Sequence, residues 1–200
     1  MMLDEQEQRW IYSLYRLGRV TGEAAKPSIM WRHLLENIVH AFKASSGCLA
    51  ETQNVQGRLK IQAGIGLPEG VVGSEMAAGA GILGLVVLEG KPRLLNGNLS
   101  QDQKLADRLP QRRGPPPWSA MCWPLIIEDR ILGAISVNRV QGVEAFSEND
   151  LERGRQLIEF ISLAVENMQL NLKLHQQLAD LKEENQALHA EVEKLRAPGN

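Results

Sequence analysis

Apolar and polar positions recur along this chain with two different periods, and the switches between them mark the elements. Over residues 28–44, Ile29, Leu34, Leu35, Ile38, Val39 and Phe42 build the broad apolar face of a helix, capped by Ser28 and suited to lie on a sheet. Ahead of it, Trp10, Leu14 and Leu17 share one helical face beside Ile11 and Tyr15, so residues 4–20 read as an amphipathic helix interrupted by Gly22 and Pro27. Residues 48–52 and 58–63 read as strands around a turn at 54–57, after which the chain runs into Gly64-Ile65-Gly66-Leu67-Pro68-Glu69. Residues 79–89 suit a short apolar helix and Arg93-Leu94-Leu95 a brief strand, both largely buried.

A polar connection follows over residues 96–117, with a short helix over 102–109, and ends in Gly114-Pro115-Pro116-Pro117. Connections longer than about 12–15 residues are commonly lids or binding loops, disorder being the competing reading. From Trp118 onward an apolar strand reaches a Pro-Leu step, Glu128-Asp129-Arg130 turns, and a second strand carries Ile131, Leu132, Ile135 and Val137 around Gly133 before Asn138 closes it. Phe146-Ser147-Glu148-Asn149-Asp150 then sets a serine three residues ahead of an acid, the signature of a helix start. Beyond Gly154, neither proline nor glycine interrupts that helix before Pro198.

Its last part changes to a seven-residue period. Leu174, Leu181, Leu188 and Leu195 occupy one heptad position d, and Asn171, Leu178, Asn185 and Val192 the position a three residues earlier. Leucine at four successive d positions predicts a coiled coil, and asparagine at a favours a parallel pair in which the amides meet across the seam. In that register Glu184 faces His189 of a second copy and Glu191 faces Arg196, exposed pairs worth about 0–1 kcal/mol each, so the apolar seam carries the association. The helix of residues 4–20 is expected to join the base of this zipper in a bundle.

The hydrophobic fraction of 44%, the charged fraction of 23% and a net charge of −2 fit a globular protein and give no general attraction to nucleic acid or anionic membrane. The residues before the heptads, 159–172, are apolar or acidic, which excludes a basic-zipper role on DNA. The longest apolar run, residues 82–88, falls far below the roughly 18 residues that a membrane span needs. The acidic start lacks the order of a signal peptide, and Cys48 and Cys122 form no CxxC motif, so a cytoplasmic location is expected.

Six segments in order, the apolar helix over 28–44, IGLPEG, AGAGILGLVVLEGKP, SAMCWPL, GAISVN and AFSENDL, resemble a GAF domain over about residues 28–170. The resemblance implies an α+β fold: a twisted antiparallel sheet of five or six strands, the first and last helices on one face, and on the other a ligand pocket covered by loops and short helices. Residues 1–27 are then an N-terminal helix and linker, and residues 171–197 a parallel dimeric coiled coil. Cyclic-nucleotide-binding members of the family carry Asn-Lys, a later Phe, and Asp-Glu. Here Asn138, Phe146 and Asp150 match, whereas Arg139 stands for the lysine and Leu151 for the last acid, which weakens that reading. Bilin-attaching members place a cysteine beside a histidine; Cys48 precedes Leu49 and Cys122 precedes Trp123, so no covalent chromophore is expected and the cofactor stays unassigned.

Candidate ligand contacts follow from the strand that lines the family's pocket: Trp118, Ser119, Met121 and Trp123, the last three sharing a face by alternation. Lys104, Arg108, Arg112 and Arg113 make the long connection basic, and Arg112 and Arg113 are taken as contacts for an anionic metabolite. Other groups read as structural. His33 and His40 stand about 10 Å apart along a helix, too far to share a metal. Gly79-Ala80-Gly81 lacks a P-loop lysine. Cys48 and Cys122 form a redox pair only if their strands are neighbours. The expectation is therefore a non-enzymatic homodimer that binds a small molecule and signals through its coiled coil to a separate protein, with closure of the 96–117 connection shifting the hairpin and the zipper helix. A ligand-free dimerisation scaffold, its pocket filled by Trp118, Met121 and Trp123, is the alternative, and a small thiol reductase a distant third.

Overall fold

The computed structural model describes residues 27–53, 58–97 and 118–196, excepting the side chains of Pro27, Glu191 and residues 193–196. The expected N-terminal helix, the turn at 54–57 and the connection at 98–117, with Lys104, Arg108, Arg112 and Arg113, lie outside these residues. Two compact units divide the chain, Met1–Val165 and Glu166–Asn200.

In the first unit the elements run α1 (Pro27–Ala41), β1 (Ser46–Thr52), β2 (Leu59–Ile65), β3 (Glu75–Met76), α2 (Gly81–Glu89), β4 (Arg93–Asn96), β5 (Ser119–Ile127) and β6 (Arg130–Arg139), followed by the first part of α3 (Glu148–Arg196). Six strands form one sheet in the order β3-β2-β1-β6-β5-β4, each neighbouring pair antiparallel. The join between its halves is non-local, Ser46 pairing with Asn138 and Glu51 with Gly133. The β5–β6 hairpin turns on two residues, Glu128 and Asp129, with Ile127 opposite Arg130; Arg130 therefore begins the strand rather than completing the turn.

Boundaries differ from the sequence expectations where backbone geometry overrides composition. Pro27 opens α1, a position where its missing N–H is no loss, so Ser28 stands inside the helix and does not cap it. The helix stops at Ala41 rather than near residue 44, because Lys43 takes the left-handed φ of 46°. Gly79, at φ 84°, delays α2 to Gly81. At α3 the serine–acid signature takes its expected form: Asp150 Oδ2 accepts bonds from the Ser147 N–H and hydroxyl, both 2.9 Å, and the Asp150 N–H donates to Ser147 Oγ at 3.1 Å.

The sheet is covered on both faces. On one, α1 buries Trp31, Leu34, Leu35 and Ile38, and α3 buries Leu157, Ile158, Ile161 and Val165. On the other, α2 lays Leu83, Val86 and Val87 over Cys48, Ala50, Leu59, Ile61, Cys122 and Ala134. The second unit is helical from Glu166 to Arg196, and residues 170–190 are exposed throughout. No helix among the described residues is long and apolar enough to cross a membrane.

Candidate functional site

Strand alternation assigns every residue of β5 to one face or the other. Trp123 stands on the two-helix face: its Nε1 donates to the Leu151 carbonyl at 2.9 Å, and its ring lies 5.5 Å from that of Phe42. Met121 and Ser119 share this face, and all three are at most 1% exposed. Ser119 ties three segments together. Its Oγ accepts the Phe146 N–H at 2.8 Å and its hydroxyl donates to Asn96 Oδ1, while Asn96 Nδ2 donates to the Phe146 carbonyl at 2.9 Å. Ser119, Met121 and Trp123, expected from the sequence as ligand contacts, are thus placed in the core beneath α1 and α3. Trp118 differs. It stands just before β5, 40% exposed, and its N–H donates to the Arg139 carbonyl at 2.9 Å.

The face under α2 carries small side chains in adjacent rows. Cys48, Ser136 and Cys122 form one row across β1, β6 and β5, and Ala50, Ala134 and Pro124 the next. Ala120 packs with Leu85 and Leu95 beside them. Such rows give the centre of the sheet a low floor, rimmed by Leu67, Val71, Met76, Ile82 and Ile131. These floor residues were missed in the sequence, although small residues at alternate positions of three apolar strands were the signal. At the edge of this face the Gly97 N–H donates to the Trp118 carbonyl at 2.8 Å, so the connection between β4 and β5 leaves and returns at one bonded pair.

The cysteines share this face but not neighbouring strands, since β6 runs between β1 and β5. Two strand spacings amount to about 10 Å, whereas a disulfide needs Cα atoms within about 7 Å. Burial pushes the Cys48 thiol up to about 12. Cys122 rises for the same reason, and the nearby Cys48 adds to it. Both are held protonated, the wrong state for a nucleophile. A folded-state value raised above the unfolded one contributes stability that is complete below the unfolded value and lost as pH climbs toward the folded one. Stability is expected to fall by about 1.4 kcal/mol per pH unit for each thiol above roughly pH 9. Denaturant titrations of the wild type and of Cys48→Ala between pH 8 and 11 check this, and equal slopes would refute it.

The residues matching the cyclic-nucleotide pattern are occupied in holding the fold. Arg139 donates from one terminal nitrogen to the Glu144 carbonyl at 2.9 Å and from the other to the Phe42 carbonyl at 2.7 Å, with its guanidinium carbon 4.0 Å above the Phe146 ring. Burial lowers its pKa, opposed by the charges of Asp150 and Glu144. Asn138 donates to Ser46 Oγ at 3.3 Å, and Asp150 is engaged at the helix start. An open cavity of about 340 Å³ beside Arg139 is lined by both signs of charge, Lys43 and Arg139 with Glu144 and Asp150. No cluster of three or more metal-ligating side chains occurs among the described residues.

In the second unit the predicted zipper positions Leu174, Leu178, Leu181 and Leu188 are 54–56% exposed and Val192 is 42% exposed. Asn171 and Asn185 are exposed on the same helix. Leu195 lies within the helix, its side chain outside the described set, as are those of Glu191 and Arg196.

No curated protein sequence matches the chain significantly. Among solved structures, the GAF domain of a phosphoenolpyruvate-protein phosphotransferase from Acinetobacter is similar at 17% identity and a TM-score of 0.67, covering 84% of this chain and 97% of its own. The GAF-B domain of DevS from Mycobacterium smegmatis matches at 17% identity and a TM-score of 0.59, over 74% of this chain and 99% of its own. The free methionine-R-sulfoxide reductase of Neisseria meningitidis, in complex with its substrate, matches at 13% identity and a TM-score of 0.66, over 86% and 96%. At these identities the structures speak for the fold alone. The family model described as GAF domain matches residues 28–165, in keeping with the six-stranded sheet between its two helical layers, and this chain therefore belongs to the GAF domain family.

Proposed function

We propose that the protein is a homodimeric, cytoplasmic sensory or regulatory protein that binds a small molecule in its GAF domain and signals to a separate partner through a parallel coiled coil. The observation that carries the binding half is the low floor of small residues on the α2 face. A structurally similar protein, the sulfoxide reductase, was solved holding a small substrate. Binding rather than catalysis is favoured by the two protonated, buried thiols.

The homodimer rests on the second unit. Most helical stability in proteins comes from packing an apolar face, and a helix that leaves Leu174, Leu178, Leu181 and Leu188 in solvent gains most by pairing along those side chains. A second copy fits better than another partner, because asparagines at a positions pair with themselves and Glu184 meets a basic His189 in the parallel register. Signalling then requires a ligand that binds two zipper arrangements with different affinity.

One observation favours the scaffold reading: α2 already packs directly on the floor residues Cys48, Ala50, Cys122 and Ala134. Native mass spectrometry of the purified protein separates the two. A dimer carrying extra mass that disappears on denaturation is expected for the sensor; a bare dimer that gains no mass from a metabolite extract favours the scaffold, and a monomer overturns both.

A further inference from the structure

On the face of the sheet beneath α2, Ser136 stands in the middle of β6, directly opposite Cys48 on β1 and Cys122 on β5. It is 3% exposed, and its hydroxyl makes no hydrogen bond with any described residue. Buried hydroxyls are ordinarily paired, because one removed from water without a partner destabilises the fold. The other buried polar side chains among the described residues follow that rule: Asn37 donates to the His33 carbonyl, Ser162 to the Ile158 carbonyl, and Ser119 is bonded to Asn96 and Phe146. Ser136 departs from it, at the centre of the floor of small residues.

Two residues further along β6, on the same face and about 7 Å away, Asn138 is half-buried opposite Ala120. Its amide nitrogen donates to Ser46 Oγ at 3.3 Å, which leaves the amide oxygen an acceptor without a partner among the described residues. Around the two side chains the floor carries no charge. Ala50, Ala120, Ala134 and Pro124 are apolar, and burial holds both thiols protonated. Arg93, opposite Cys122 at the edge of the sheet, is neutralised by Glu89, whose carboxylate accepts from its Nε at 2.9 Å and from a terminal nitrogen. An anion would leave water here for a surface whose cation is already paired, at a cost that a neutral molecule does not meet.

We propose that Ser136 is the anchoring hydrogen-bond donor for the small molecule of this face, and that this molecule is an uncharged, flat carboxamide or lactam. Its carbonyl accepts from the Ser136 hydroxyl and its N–H donates to the Asn138 amide oxygen. Flatness follows from α2, which lies directly over the small residues of the floor. The proposal rests on the reading of this face as the binding site, and adds to it the chemistry of the ligand and the residue that holds it.

Two probes of one shape, benzamide and benzoate, test this in the full chain, with the amide signals of β6 followed by nuclear magnetic resonance. Benzamide is expected to shift Ser136 and Asn138 and to bind at least tenfold more tightly than benzoate. Ser136→Ala should weaken benzamide about tenfold, as the loss of one hydrogen bond does. The same variant should unfold at a urea concentration equal to or above that of the wild type, since it removes an unpaired buried hydroxyl. A clear fall in that midpoint would show the hydroxyl to be engaged in the fold and overturn the proposal. Benzoate binding as tightly as benzamide would overturn the ligand class and leave the site standing, and benzamide binding untouched by Ser136→Ala would overturn the anchoring role. No shift from either probe would overturn the proposal outright. A native mass spectrum with dissociable extra mass would then keep the sensor reading, and a bare dimer would remove it as well.

Discussion

Leu181→Asp is expected to convert the proposed dimer to a monomer at micromolar concentration while leaving the GAF domain folded. Leu181 is 56% exposed in the single chain, so its apolar surface contributes little there and becomes valuable only against a second helix. A two-fold dimer loses two leucines, at about 1.5–3 kcal/mol each, and places two carboxylates across the seam. A total of about 3–6 kcal/mol corresponds to a dissociation constant raised roughly 100- to 10,000-fold. Sedimentation equilibrium measures the mass, and the near-ultraviolet circular dichroism of the tryptophans reports on the domain. Asn185→Leu should act in the opposite direction, tightening association while loosening the preference for two strands, because the amide costs stability and specifies register. An unchanged dimer in Leu181→Asp would show that the leucine repeat is not the interface.

Gly154→Ala should destabilise the domain by about 2 kcal/mol, although alanine is the better helix former. The helical preference is worth about 1 kcal/mol in favour of alanine. Against it, a Cβ at position 154 would stand 2.2 Å from Trp123 Cζ2 and 2.6 Å from Cε2. The ring has little freedom to retreat: its N–H is bonded to the Leu151 carbonyl one turn earlier in the same helix, and Phe42 lies beside it. Relief requires shifting α3 outward or breaking that bond, and overpacking of this kind costs typically 1–3 kcal/mol and at times more. Adding the loss of a buried hydrogen bond, about 1 kcal/mol, makes the packing term the larger. Urea denaturation gives the sign. The double variant with Trp123→Phe should recover part of the loss, since the smaller ring vacates the space that Cβ needs, and the coupling follows from a double-mutant cycle. A Gly154→Ala protein more stable than the wild type would mean that helix and strand do not approach as closely as described.

Much of this architecture was legible from side-chain periods. The helix of residues 27–41, the strands β1, β2 and β4, the β5–β6 hairpin and the Ser147–Asp150 start of α3 each carry a local signal, because turn geometry, capping and periodicity are decided by residues close in sequence. The six-segment resemblance that named the family is the same kind of signal taken in order, and the family model covers residues 28–165. The heptads too are a property of one helix, readable without knowing what it touches.

The candidate site was less legible, for a reason visible in β5. Seven consecutive residues from Ser119 to Leu125 are buried, so the strand shows no polar alternation to tell its two faces apart. Large aromatic residues beside the prolines suggested a pocket lining, and a shift of one residue in parity moves every side chain to the opposite face. Trp123 fell on the helix side, where Gly154 leaves room for it thirty-one positions later in the chain. The cysteines carry the same lesson: nothing near Cys48 or Cys122 reveals that β6 will be inserted between them. By itself, the sequence determined most of the helices and strands among the described residues and the family they compose. Tertiary structure alone decided the facing of β5, the separation of the thiols and the commitment of Arg139 to backbone carbonyls. Those depend on contacts between residues up to 97 positions apart, and such contacts are set by the pairing of the sheet rather than by any local preference.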